Sequence, residues 1–278
     1  IDFTNIPVGQ INDCVEQYGQ SEDGFTVTPG AQALTGTELS TYYLIPNLTD
    51  ENLSKKEVRQ ALSLAIDRQA IVDTLFEGYR EPANSIMPLS IDDNEENIWE
   101  YCAYDPERAK QILADAGVDP ASISVTLDYN SGGDHEDIMS AIQANLADIG
   151  VTVTQNTLEW AAYLDSLSDG SYGLARLGWT ADYPIQDNFL YPNFFSTADN
   201  NYNGYNNPDV DAAILAARQI QDEEERRAAY RTICHQIGED MPVIPIMFYA
   251  HNYVGSERLA HFFYDAATIP HFDTAQLA

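Results

Sequence analysis

A chain of 278 residues is long enough to bury a full hydrophobic core and can hold one large domain or two. Its 44 Asp and Glu against 13 Lys and Arg give a net charge of −31, which makes nucleic acid and anionic membrane surfaces poor partners. No apolar run approaches the roughly 20 residues of a membrane-spanning helix, and residues 1 to 10 show neither the basic nor the hydrophobic region of a signal peptide.

Residues 1 to about 50 read as a short apolar strand, a loop rich in Gly and Asp, and a TYYLI strand from Thr41 to Ile45. A capping box at Ser54-Lys-Lys-Glu57 opens a helix with Val58, Leu62, Ala65 and Ile66 on one face. Asp67 caps a second helix, whose stripe of Ile71, Leu75 and Phe76 stops at Gly78. A loop of Pro, Asn and acids spans 82 to 100, where the run Asp92-Asp93-Asn94-Glu95-Glu96 lacks the Gly of an EF-hand turn and reads as solvated. Asp105-Pro106 supplies an N-cap and a preset first helical residue, and Gly117 ends that helix.

The pattern then becomes α/β. Ile123, Val125, Leu127 and Tyr129 alternate as a strand, Ile138, Ile142, Leu146 and Ile149 form a helical stripe, and Val151 and Val153 begin the next strand. A helix through Leu158, Tyr163, Leu164 and Leu167 leads to a short strand at Leu174, Arg176 and Gly178, so two βαβ units are expected. That strand ends in a corner where Trp179 and Asp182 present an aromatic plane and a carboxylate together. Two amphipathic helices, Pro208 to Gln219 and Glu223 to Ile237, the latter opened by Asp222-Glu-Glu-Glu225, precede a buried strand from Val243 to Tyr249. No internal repeat or low-complexity tract interrupts this order.

Sequence signatures of catalysis fail one by one. His135-Glu136-Asp137-Ile138-Met139 starts like a zinc-protease helix but has Met where the second His would stand. The chain holds no G-x-S-x-G elbow, no G-x-x-x-x-G-K-[ST] phosphate loop and no G-x-G-x-x-G, and no cofactor is expected. Cys14, Cys102 and Cys234 are too far apart for a C-x-x-C motif, and an odd count leaves at least one thiol free. The acidic surplus fits a solvated acidic shell or selection for cationic ligands.

GWTADYP after a short strand resembles the extracytoplasmic solute-binding proteins of peptide and nickel ABC transporters (family 5). The likeness extends to STYYLIPN at 40 to 47, KKEVRQALSLAIDRQAIVDTLFEG at 55 to 78, YDPERAKQILADAG at 104 to 117, NNPDVDAAI at 206 to 214 and MPVIPIMFY at 241 to 249. It implies a periplasmic-binding-protein-like (type II, peptide-binding subclass) α/β lobe, and the start at Ile1-Asp2-Phe3-Thr4 resembles an internal strand of the family, so the chain reads as a C-terminal fragment. Residues 1 to 50 would be a partial first-lobe segment, 51 to 250 the α/β ligand-binding lobe and 251 to 278 a return to the first lobe, with hinges near 46 to 52 and 249 to 254. Implied partners are a peptide ligand and an ABC permease, for a monomer outside the cytoplasm that performs no catalysis. The same scaffold also serves nickel chelates, glutathione, opines and oligosaccharides, or feeds a sensory partner.

By the resemblance, Asp182 takes the ligand's α-amino group in a charge-assisted bond, against the alternative of capping a turn. The backbone of Gly178, Trp179 and Thr180 would pair with the ligand like an added strand. Trp160 matches a pocket-lining helix, Tyr42 and Tyr43 the cleft strand, and Tyr249 an aromatic close to the hinge, each as readily core as wall. Arg176 matches a position that can reach a ligand carboxylate, and His135 lies where peptide binders place a cationic partner for the ligand's other end. Glu136 and Asp137 beside it depart from that pattern and favour longer or differently anchored ligands.

Overall fold

The computed structural model describes residues 1–91 and 99–278, so the acidic run 92–96 lies outside the described residues. In chain order the elements are β1 (Phe3–Asn5), α1 (Ile11–Tyr18), β2 (Thr26–Val27), β3 (Ala33–Leu34), β4 (Thr37–Pro46), α2 (Lys56–Ala65), α3 (Arg68–Phe76), β5 (Glu81–Pro82) and α4 (Pro106–Asp115). There follow β6 (Ser124–Asn130), α5 (His135–Asp148), β7 (Thr152–Leu158), α6 (Trp160–Ser168), β8 (Leu174–Thr180), α7 (Asp187–Phe194), α8 (Pro208–Ala217) and α9 (Glu223–Asp240). The chain closes with β9 (Ile244–Ala250), β10 (Tyr253–Gly255), β11 (Leu259–Tyr264) and β12 (Pro270–Leu277).

A mixed six-stranded sheet of order β5-β9-β4-β8-β6-β7 carries the main core. Its β6, β7 and β8 run parallel, joined by α5 and α6 as the two expected βαβ units, while β4 and β9 pair antiparallel. Two three-stranded sheets, β1-β10-β3 and β12-β11-β2, are built from residues 1–36 and 251–278. They keep apolar clusters of their own, around Val27, Leu34, Leu259 and Phe262 and around Ile6, Ile11 and Ala33.

The expected division at residue 50 falls beyond β4, which stands in the middle of the large sheet. Nine of its ten residues are buried, since strands flank it on both edges and packed layers cover both faces. The chain therefore crosses from the small sheets at 36–37 and returns at 250–253, close to the second expected hinge. The first, 46 to 52, falls at the far end of β4, where Pro46 pairs with Leu174.

Helix caps follow the sequence with one exception. Asp67, Asp105 and Asp222 each accept the expected backbone N–H, and Pro106 opens α4. The capping box at Ser54 does not form: the Asp50 carboxylate holds the amides of Asn52 and Leu53, and Ser54 Oγ donates to the Glu51 carbonyl instead. Two arginines of the α2–α3 region are architectural. Arg68 donates to the carbonyls of Pro245, Ser63, Ile66 and Cys102 and to Ser63 Oγ. Arg59 donates to those of Met241, Leu53, Ser54 and Asp240. None of the three cysteines forms a disulfide among the described residues; Cys102 and Cys234 are buried, and burial pushes the Cys102 thiol up.

Candidate ligand-binding site

The parallel strands direct their carboxyl ends to one edge of the sheet, where ligands of open α/β sheets commonly sit. At that edge α5 begins with His135, α6 begins with Trp160 and β8 ends at Thr180. The sheet also divides there. The β6–β8 ladder comprises only Leu127↔Leu174 and Asp128↔Ala175, so from Arg176 onward β8 pairs with β4 alone. Side chains bridge the divergence: Tyr163 Oη donates to the carbonyls of Asp128 and Arg176, and Arg176 Nη1 donates to Asn130 Oδ1 at 3.2 Å.

Alternation along β4 and β8 decides which residues face this gap. Tyr42 opposes Gly178 and Ser40 opposes Thr180, and Ser40 Oγ bonds Thr180 Oγ1 at 2.9 Å, so Glu38, Ser40 and Tyr42 share a face with Arg176, Gly178 and Thr180. A cavity of about 200 Å³ opens on that face, lined by Glu38, Trp160, Arg176, Leu177, Gly178, Trp179, Thr180 and Tyr249. Gly178 leaves its floor open: a Cβ there would stand 3.4 Å from both the Thr41 carbonyl and Tyr249 Oη.

Six of the expected residues, Trp160, Arg176, Gly178, Trp179, Thr180 and Tyr249, thus converge on one cavity. Tyr42 lies behind it, its ring under the Arg176 guanidinium at 5.1 Å and its hydroxyl 3.3 Å from His135 Nδ1. Tyr43 is not brought there. One residue on, it points to the opposite face, where its hydroxyl donates to Asn193 Oδ1 in the core. Trp160 is 49% exposed, a wall rather than core.

His135 stands at the start of α5 beside the Tyr42 hydroxyl. Desolvation, reinforced by Arg176 and Arg80, pushes its pKa down to about 3, so the ring is neutral near pH 7. Burial acts to lower Arg176, but Tyr249 and Tyr42 outweigh it and leave the guanidinium raised. Arg176 Nη2 donates to Tyr249 Oη at 2.9 Å, while its buried Nε has no partner.

Asp182 stands exposed just past β8 and is placed by Asn188. Asn188 Oδ1 accepts from the Asp182 amide at 3.0 Å and from Trp179 Nε1 at 3.2 Å, and its Nδ2 lies 3.5 Å from Asp182 Oδ2. Asn188 is 2% exposed and sits on α7, a helix the sequence reading did not mark. Glu38 was missed too, although counting back by two from Tyr42 puts it on the cavity face. Arg80 was the third omission: its guanidinium lies 3.8 Å from the Phe76 ring centre and 4.9 Å from that of Tyr249, and burial lowers it.

Comparison with known proteins places these features. A family model described as bacterial extracellular solute-binding proteins, family 5 Middle, matches residues 4–201. Heme-binding protein A of Haemophilus influenzae is 31% identical over 225 residues, which covers 78% of this chain and 41% of that protein. The periplasmic oligopeptide-binding protein OppA of Salmonella typhimurium is 31% identical over 218 residues, covering 76% of this chain and 40% of that protein. The oligopeptide-binding protein AppA of Bacillus subtilis, solved in complex with a nonapeptide, superposes with a TM-score of 0.83 at 26% identity, over 100% of this chain and 56% of its own. The α/β fold is thus that of the periplasmic peptide-binding proteins, and the chain spans about two fifths of the length of those two curated relatives. With the family match running through most of its length, the chain belongs to the bacterial extracellular solute-binding proteins, family 5.

Proposed function

We propose that this chain forms the main ligand-binding lobe of an extracytoplasmic receptor that captures peptides between two lobes and hands them to a membrane ABC permease, without catalysis. The observation that carries this reading is the half-paired strand β8: from Leu177 to Thr180 its backbone ladder runs only to β4. An extended peptide laid along the open edge would complete the pairing main chain to main chain, which gives affinity with tolerance of side-chain sequence. At the end of that strand Asn188 presents the Asp182 carboxylate where a free α-amino group would arrive. Arg176 would face a ligand carboxylate, and Trp160, Trp179 and Tyr249 would wall the intervening side chains.

The two segments near 36–38 and 250–253 would absorb the rotation that closes a second lobe over the cavity, and contacts to both lobes would select the closed form. Calorimetric titration of the full-length polypeptide carrying this chain, with short peptides and with the same peptides acetylated at their amino ends, tests the proposal. Binding abolished by acetylation supports amine recognition by Asp182. Equal binding of both pools removes that task from Asp182, and silence from both overturns peptide capture in favour of a chelate or sugar.

A further inference from the structure

Glu38 is the carboxylate of the cavity for which peptide capture so far has no use. It is 8% exposed, yet it lines the cavity together with Trp160, Trp179 and Tyr249. Its Oε1 lies 2.9 Å from Nδ1 of His251, a ring with no exposed surface. His251 Nε2 in turn faces the carbonyls of Tyr264 at 3.3 Å and Asp265 at 3.0 Å, so both ring nitrogens are oriented toward acceptors. The His251 amide donates to the Gly36 carbonyl at 2.8 Å, fixing the imidazole to the strand crossing that carries Glu38. One carboxylate oxygen is therefore held from behind by a fully buried ring, and Oε2 takes no hydrogen bond from the described residues.

We infer that Glu38 is a specificity-determining residue that recognises an ammonium or guanidinium group of the ligand; this rests on the peptide reading above and extends it from backbone capture to side-chain selection. With His251 behind one oxygen and the other oxygen taking no hydrogen bond from the described residues, the Glu38 carboxylate has room for a further donor from the cavity, and the walls suit a cation, because the faces of Trp and Tyr attract positive charge. Arg80 feels the Glu38 charge at a distance, but no guanidinium of the cavity is in contact with this carboxylate among the described residues. Arg176 is bound to Asn130 on β6 and to Tyr249 on β9, and neither it nor Arg80 forms an ion pair with Glu38 among the described residues. Along β4 and β8 the arrangement separates charge: Arg176 stands level with Leu44, whereas Glu38 precedes Ser40, the residue level with Thr180. A ligand with a basic side chain toward Glu38 and an anionic group toward Arg176 meets complementary charge at both ends.

The test uses the full-length polypeptide carrying this chain and two matched probe pools: alanine pentapeptides with one lysine at each internal position, and the same peptides with Nε-acetyllysine. Calorimetry is expected to show the lysine pool binding about tenfold tighter, a difference of about 1.4 kcal/mol. In Glu38→Gln that preference collapses to within about twofold while the acetyllysine pool binds as before, since the amide keeps the shape and loses the charge. Should Glu38→Gln fail to fold, Thr180→Lys sets an ammonium at an exposed position on the same cavity face and is expected to abolish the preference equally. Equal affinity of the two pools for the unaltered protein, or a preference that survives either substitution, overturns the role of Glu38 and leaves peptide capture standing. No binding of either pool overturns peptide capture and the subsite with it.

Discussion

Replacing Asn188 by alanine separates positioning from contact at the GWTAD corner, because Asn188 bonds both Trp179 and Asp182 and does not itself line the cavity. Two acceptor bonds disappear, at 3.0 and 3.2 Å, along with a marginal donor contact at 3.5 Å. A net hydrogen bond contributes about 1 kcal/mol, and the exposed Asp182 amide regains water, so the expected cost to stability is about 1–2 kcal/mol. Binding of peptides with free amino ends is expected to weaken about tenfold, because the carboxylate and the indole lose their common anchor. Asn188→Asp distinguishes the terms: it keeps an acceptor for both N–H groups but sets a carboxylate oxygen near Asp182 Oδ2. At 3.5 Å two like charges cost about 5 kcal/mol at an effective dielectric of about 20 and about 1 kcal/mol in water, and the exposure of Asp182 favours the lower figure. Added salt should therefore recover part of the loss in Asn188→Asp and none in Asn188→Ala. Urea unfolding and calorimetry of both variants read these differences. A stability change below about 0.5 kcal/mol in Asn188→Ala, with unaltered peptide affinity, would refute the view that Asn188 arranges the corner.

Arg68→Met should cost about 3–5 kcal/mol by urea unfolding, since it strands four buried carbonyls and the Ser63 hydroxyl; a loss under about 1 kcal/mol would contradict that accounting. His135 has its folded pKa depressed to about 3, so the unfolded ring takes up a proton below about 6.5 that the folded ring refuses. Relative to His135→Gln, the protein should lose stability as pH falls from about 6.5 to about 3, and parallel pH profiles would defeat this assignment. Asp23 is held at about 2 because bonds from the Phe25 and Thr26 amides and the Thr26 and Ser21 hydroxyls outweigh desolvation. Its contribution is present above about pH 4 and lost as pH falls toward 2, so Asp23→Asn should flatten the acid limb of a thermal-melting profile there.

Local chemistry was legible wherever it was self-contained. Asp67, Asp105 and Asp222 cap as read, and the two βαβ units follow from the switch between period 2 and period 3.6. What one-dimensional pattern does not carry is which sheet a strand joins. The TYYLI run has the continuous apolar character of any doubly buried strand, and only the flanking partners β8 and β9 place it in the large sheet. The Ser54 capping box failed to competition, since Asp50 organises the preceding turn first. In the site, Trp179 and Asp182 announce themselves by motif, whereas Asn188 acts through α7, whose Pro192 and mixed polarity disguise the helix. Glu38 illustrates a different limit: in so acidic a chain one more glutamate carries no signal until the folded cavity shows it in the lining.

The distribution of basic residues explains how an acidic protein can present both signs of charge to one cavity. Of ten arginines in the sequence, Arg59, Arg68 and Arg80 are buried. Arg59 and Arg68 bond backbone carbonyls in place of carboxylates, and Arg80 lies against two rings and the Met247 sulfur. These guanidinium groups are thus removed from the surface, where carboxylates dominate, and the long-range field outside the molecule attracts cations. Within the cavity the two signs are set apart along β4 and β8. The Arg176 guanidinium lies over the Tyr42 ring and that of Arg80 over the Tyr249 ring, while Asp182 is exposed beyond the strand end. A cation arriving down the external field would meet carboxylates first, and the anionic part of the same ligand would find its counter-charge only by lying further along β8. On the proposed reading, charge would select the direction in which an extended zwitterionic chain enters, and the open edge of β8 would supply the pairing that holds it in that direction.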